Sequence, residues 1–266
     1  MLAVILSMSF YGCNNKSYNY YIKEGNRVLI LKDTTSAISL YSKAIELAPD
    51  KAQKAYKNRG ACLLALKRYI EAKKDLDNAI KLNENDKDAY SFRYELEEKT
   101  SETAAEIEDI NKVLTLDSNN ILALNTLGAI LSESENKEIA IGIFNKIICK
   151  DSTYALAHNN LAMILLDNNN LDLAITEYTK AINIDAKQAL YYYNRSYAYL
   201  VQKKFQLALT DLELANRLEP NDPETLNSLA IAYFGLKKNE DACRSWKKAY
   251  DLGYTDAKKN LDKYCK

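Results

Sequence analysis

The chain has 266 residues, 47% apolar and 27% charged, which argues for a folded body over a disordered polymer. Lys plus Arg and Asp plus Glu each number 36, so no net field draws in nucleic acid, and no basic stripe overcomes that balance. With 7 Gly and 3 Pro there are too few turn formers for an all-β protein, and a composition led by Ala, Leu, Lys, Glu and Tyr favours helix throughout.

In chain order the first stretch is MLAVILSMSFYGCNN, in which ten apolar or small residues lead towards Gly12-Cys13, with polar Asn14, Asn15 and Lys16 directly after. It resembles a bacterial lipoprotein signal, which is cut before a Cys that then carries the lipid. The resemblance implies a signal segment over 1–13, lipidation at Cys13, a short linker over 14–17 and a lipid-anchored place in the cell envelope. Membrane contact would come only through that anchor, since the segment is too short to span a bilayer. Phe10 and Tyr11 are bulkier than such signals favour and no Lys or Arg opens the segment, so a cytoplasmic protein with an uncleaved apolar stub stands as the alternative.

The rest of the chain repeats itself. Ala140, Ala174, Ala208 and Ala242 fall at intervals of 34 residues, and four residues after each stands Phe144, Tyr178, Leu212 or Trp246. Ile147, Ala181, Ala215 and Ala249 follow three further on, and the frame continues upstream through Glu106, Ala72 and Ala37, with a single extra residue between the last two. Seven units tile 18–51, 53–86, 87–120, 121–154, 155–188, 189–222 and 223–256. Each holds two apolar segments with helical spacing around a short polar break, such as Asp167-Asn168-Asn169-Asn170 in the fifth. Gly25, Gly60, Gly128, Ala162, Ser196 and Ala230 keep the first segment small where it must approach the repeating Ala of the second.

The stretches AISLYSKAIELAP (37–49), AITEYTKAINID (174–185) and YYNRSYAYL (192–200) resemble the tetratricopeptide repeat, or TPR, over nearly the whole chain after residue 18. The resemblance implies an all-α fold, a right-handed α-solenoid of about seven helix-turn-helix repeats closed by a capping helix over 257–266. Asp222 and Pro223 supply an N-cap and first turn for the last repeat, and Ala257, Leu261 and Tyr264 give the cap an apolar stripe. The third repeat departs from the pattern, with Tyr94 at the small-residue site and Glu106 at the repeating-Ala site, so its helices should pack less closely.

Function is read from the first helices, which in the family line a concave wall. In YYYNRSYAYL (191–200) the family register puts Tyr192 and Tyr199 in the core, Tyr193, Asn194 and Tyr197 on the wall, and leaves Tyr191 open. A wall tyrosine offers large apolar area and a polar tip with few rotors to freeze. Asparagines recur beside it, and a side-chain amide can hold a peptide backbone without reading its sequence. The candidate surface is Asn159, Asn160, Met163, Tyr193, Asn194, Tyr197, Asn227 and Ile231, and its expected occupant is a protein or peptide. The carboxylate clamp through which some TPR domains hold chaperone C-termini is excluded. Asn26 and Asn58 fit it, but Ile22, Asp88 and Phe92 stand where its cations belong.

Catalysis finds no support. The single His, His158, has no nucleophile and orienting partner arranged in sequence, no Gly-rich phosphate loop is present, and the cysteines lack zinc spacing. A non-enzymatic scaffold with no cofactor, metal or small-molecule substrate is expected. Cys62 and Cys149 read as buried thiols on apolar helix faces. The tail resembles the ends of some envelope TPR lipoproteins in which a Cys pair recurs, which implies a possible disulfide between Cys243 and Cys265.

Overall fold

The computed structural model describes residues 17–265; among them every regular element is helical and no strand occurs. Cys13 and the leader around it lie outside the described residues. The chain divides into two compact units, Met1–Ala123 and Leu124–Lys266. Unit 1 holds α1 (Tyr18–Ile30), α2 (Thr34–Leu47), α3 (Gln53–Ala65), α4 (Tyr69–Leu82), α5 (Lys87–Thr100) and α6 (Thr103–Leu116). The division falls early in α7 (Ile121–Ser132). Unit 2 continues with α8 (Lys137–Lys150), α9 (Ala155–Asp167), α10 (Leu171–Ile184), α11 (Ala189–Val201), α12 (Phe205–Leu218), α13 (Pro223–Gly235), α14 (Asn239–Asp251) and α15 (Ala257–Tyr264). This is the all-α solenoid class, built from paired helices, that the repeat pattern predicts.

The repeating residues are the seam of each pair. Ala37, Tyr41 and Ala44 of α2, Ala174, Tyr178 and Ala181 of α10, and Ala242, Trp246 and Ala249 of α14 are all buried. Spacings of four and three put them on one stripe of a helix, so one face of each second helix is apolar and the rest is wet. The small-residue site serves the large ring of this stripe rather than the Ala. A Cβ added to Gly25 would sit 2.5 Å from the Tyr41 ring, and one added to Gly128 would sit 2.8 Å from Phe144. In the third pair the exchange runs the other way: Tyr94 occupies the small site, and the position opposite carries Ile110, fully buried, in place of a ring.

Each first helix of unit 1, and α9, α11 and α13 of unit 2, ends on a left-handed residue: Lys32, Lys67, Ser101, Asn169, Lys203 and Lys237, all with φ between 58° and 63°. The next backbone N–H then reaches back to a carbonyl five residues earlier, as in Lys204 to Tyr199 at 2.8 Å and Lys238 to Tyr233 at 2.9 Å. That bond satisfies a carbonyl the helix would otherwise orphan and turns the chain into the second helix.

Three arginines staple the pairs. Arg59 grips Asp75 through Nε at 2.6 Å and Nη2 at 2.8 Å; Arg93 holds Asp109 at 2.7 and 2.8 Å, and Arg195 holds Asp211 at 2.8 Å twice. All three aspartates are buried. The third donor of each guanidinium goes to the preceding pair: Ser42 Oγ at 2.8 Å, Asp77 Oδ1 at 2.6 Å and Thr179 Oγ1 at 3.0 Å. A planar five-donor fork suits this double duty better than a lysine ammonium.

At the far end Cys243 of α14 is bonded to Cys265, whose Cα lies 5.6 Å away, and the bond ties the end of α15 to the last pair. Tyr264 of α15 lies 4.5 Å from the Phe234 ring and stacks on Trp246 at 6.0 Å. Asp222 caps α13 through a 2.7 Å bond from the Thr225 N–H, with Pro223 at the first helical position. Cys62 is buried, and burial raises its thiol to about 11. Cys149 is a correction to the sequence expectation: it is exposed. The buried stripe of α8 runs through Ala140, Phe144 and Ile147, and two residues past Ile147 a helix has turned its side chain away from that stripe.

Candidate partner-binding face

In unit 2 the first helices α9, α11 and α13 lie side by side, and their common register sorts the residues into columns. The second residues are Leu156, Leu190 and Glu224; the ninth are Met163, Tyr197 and Ile231. Between them run the fifth and sixth residues: Asn159 and Asn160, then Tyr193 and Asn194, then Asn227 and Ser228.

The middle column is a chain of amides. Asn194 Nδ2 donates to Asn159 Oδ1 at 2.9 Å, Asn159 Nδ2 to Asn160 Oδ1 at 3.2 Å, and Asn160 Nδ2 to Asn125 Oδ1 of α7 at 3.2 Å. Each amide carries two donors and two acceptor lone pairs, so this linkage leaves hydrogen-bonding capacity over. On either side the columns are apolar except at Glu224, and Met163, Tyr197 and Ile231 are all exposed, Tyr197 at 51%.

Two expected site residues are placed differently. Asn159 is 1% exposed, engaged by Asn194 and Asn160 and lying 3.7 Å from Met163 Sδ, so it links the ladder and offers no free amide to a partner. Tyr193 is half-buried and packs against the Leu226 and Leu229 cluster of the next pair as well as the Tyr191 and Tyr192 cluster of its own. Burial raises its hydroxyl, against a hydrogen bond with Ser228. Of the five clustered rings, Tyr191 and Tyr192 are core, Tyr193 and Tyr199 half-buried, and Tyr197 open to solvent. The register alone cannot tell a wall position from a covered one; that depends on what the next helix brings alongside. Asn160, Asn194 and Asn227 are half-buried.

Unit 1 has a shorter version, built on the two asparagines that fit the excluded clamp. Asn58 Nδ2 donates to Asn26 Oδ1 at 3.0 Å, and the same oxygen accepts from the Tyr41 hydroxyl at 2.7 Å. Beside them is a cavity of about 410 Å³, walled by Leu29, Ile30, Ala61 and Phe92. Lys57 nearby is tied down at 3.0 Å by both Asp86 and Asp88.

His158 is buried with Nδ1 2.6 Å from Glu177 Oε2 and Nε2 3.4 Å from the Ser152 carbonyl oxygen. Burial alone would raise the Glu177 carboxyl, but hydrogen bonds from Lys180 and His158 hold it below the ordinary range. The pair joins α9 to α10 with Glu177 at the register of the stapled aspartates, while Leu161 stands at that of the arginines.

The molecule is thus a helical-hairpin repeat protein whose first helices present an amide ladder between apolar columns. It carries tetratricopeptide repeats: residues 54–86 and 155–188 each match that family. Over 117 residues the chain is 34% identical to Protein unc-45 homolog B of Xenopus laevis, a match covering 43% of this chain and 13% of that protein's length. The chain therefore corresponds to a small part of that relative. It shares its fold with a tetratricopeptide repeat protein from Parabacteroides merdae, at a TM-score of 0.73, 19% identity, and coverage of 94% of this chain and 99% of that one. It is also similar to YrrB, a TPR protein with an unusual peptide-binding site, at a TM-score of 0.55, 20% identity, and coverage of 70% and 95%.

Proposed function

We propose that the protein is a non-catalytic scaffold that holds a protein or peptide partner along the first helices of unit 2. The observation that carries this is the amide ladder from Asn194 to Asn125 lying between the Met163–Tyr197–Ile231 column and the Leu156–Leu190 column. Solvent-facing apolar area with adaptable amide donors and acceptors in its midst is what a protein interface uses. Tyr197 is the residue to test, because Tyr193 also packs against the core and its loss would unsettle the fold. The decisive experiment places a photo-crosslinking amino acid at Met163, at Tyr197 or at Leu173 in the host that makes the protein. Adducts at the first two positions and none at Leu173 are expected. Adducts at Leu173 alone would move the binding surface to the second helices.

A second surface has an observation of its own. Ile139, Leu173 and Leu207 share one register position on α8, α10 and α12 and are 56%, 59% and 49% exposed. A structural role, with this face packed into a larger assembly, would use that column, and the Leu173 crosslink reports on it.

The same proposal includes a lipid anchor at Cys13 and a place in the cell envelope. The apolar leader before Gly12-Cys13 supports it, and so does the Cys243–Cys265 bond, which persists in oxidising compartments. Labelled palmitate should enter the native chain and not Cys13→Ala; label equal in both would remove the anchor and leave a cytoplasmic adaptor. Among the described residues no helix is long and apolar enough to cross a membrane.

A further inference from the structure

The edge column along the ladder changes character at its last rung. Leu156 and Leu190 are followed, at the same second position of α13, by Glu224. Beside that rung a side pocket of about 160 Å³ is walled by Leu190 and Tyr193 and edged by Glu219, Asp222 and Glu224. Asp222 is committed to capping α13. Glu219 and Glu224 are exposed and form no ion pair among the described residues. In contrast, the carboxylates of Asp75, Asp109 and Asp211 on the second helices each hold an arginine.

We infer that the partner enters unit 2 as an extended segment, with apolar side chains on the two columns and a Lys or Arg seated in the pocket at Glu219 and Glu224. This rests on the proposed use of the first-helix face. Two features of the site support it. An amide ladder with unused donors and acceptors matches a backbone whose own N–H and C=O groups are free; a helix has already bonded them to itself. An extended chain also turns successive side chains to opposite sides, which matches apolar columns on both flanks of a polar middle. The pocket fits a long basic side chain part by part. Its methylene stem packs on Leu190 and Tyr193, and its cationic head reaches the two free carboxylates.

The test is selection from a library of random linear dodecapeptides on the full chain, repeated on Glu219→Lys/Glu224→Lys and on Tyr197→Ala. The native chain should enrich peptides with a run of consecutive apolar residues, which an extended backbone turns alternately to the two columns, and a Lys or Arg near one end. The double reversal should exchange that base for Asp or Glu and weaken the leading native peptide roughly tenfold, the scale of two rim charge pairs. Circular dichroism and melting of each variant separate a lost site from a lost fold. Enriched peptides with no basic preference, with helical spacing of three and four, or no enrichment at all would overturn the inference. If Tyr197→Ala weakens the enriched peptides but the charge reversal leaves them unchanged, the face stands and its basic selectivity fails. Peptides indifferent to Tyr197→Ala would instead remove the face itself.

Discussion

Glu97 of α5 is 3% exposed, and one of its carboxylate oxygens has no hydrogen-bond partner. Burial, with the nearby Asp109 charge and that of Glu102, raises its pKa from the ordinary 4.5 to about 7, against the pull of Arg93 and Lys73. The folded state then binds a proton more tightly than the unfolded chain, so unit 1 loses stability as pH rises from about 4.5 to about 7 and is level beyond it. The full effect is at most about 3 kcal/mol. Urea unfolding at pH 5 and pH 8 should show a smaller loss in Glu97→Gln than in the native chain; equal losses would remove Glu97 as the cause. The arginine staples make a second test at this scale. Asp211→Ala leaves Arg195 without its buried partner and should cost about 3 kcal/mol, much of it recovered when Arg195→Leu is added. The staples were legible in hindsight as Arg and Asp sixteen residues apart, at Arg59, Arg93 and Arg195. Charged pairs on helices read first as solvated surface, and only the packed pair of helices shows that these aspartates are inside.

Among the elements, the turn inside each helix pair is the most regular part after the buried seam. Lysine sits at its left-handed position four times, although a side chain there costs about 1–2 kcal/mol relative to glycine. Glycine loses part of that gain to its freedom in the unfolded chain. Lys203→Gly should therefore stabilise unit 2 by about 0.5–1 kcal/mol, whereas Lys203→Val, branched at Cβ, should destabilise it; melting temperatures that move the other way would contradict this. The helices themselves are readable because a triplet spaced four and three, with a bulky residue in the middle and mostly small ones beside it, recurs from unit to unit and is buried where the period puts it. Neighbouring faces were harder. Cys149 was assigned to an apolar face and lies outside, and Asn159 was assigned to the wall and lies beneath it. One residue step turns a helical side chain by 100°, so an error that leaves the helix correct can still reverse a residue's surroundings.

Over the whole molecule, the two units hold separate buried clusters, one around Tyr41 and Ala44 in unit 1 and one around Trp246 and Leu229 in unit 2. The Cys243–Cys265 bond belongs to the second. Closing a loop of this length is worth about 3 kcal/mol, so Cys265→Ser should speed hydrogen exchange in α14 and α15 and leave α1 to α4 unchanged. Faster exchange in unit 1 as well would show that the bond supports more than its own end. The same bond also sets how the molecule bears a load. Tension applied at residue 265 passes through sulfur straight into α14 at Cys243, bypassing the chain between them, a sequence separation of 22. An oxidised molecule pulled apart by its ends would come up short by about 70 Å of contour, a length released only when the bond is cut. Whatever tugs on this terminus meets a short tether while the bond is intact and a long one once it is cut.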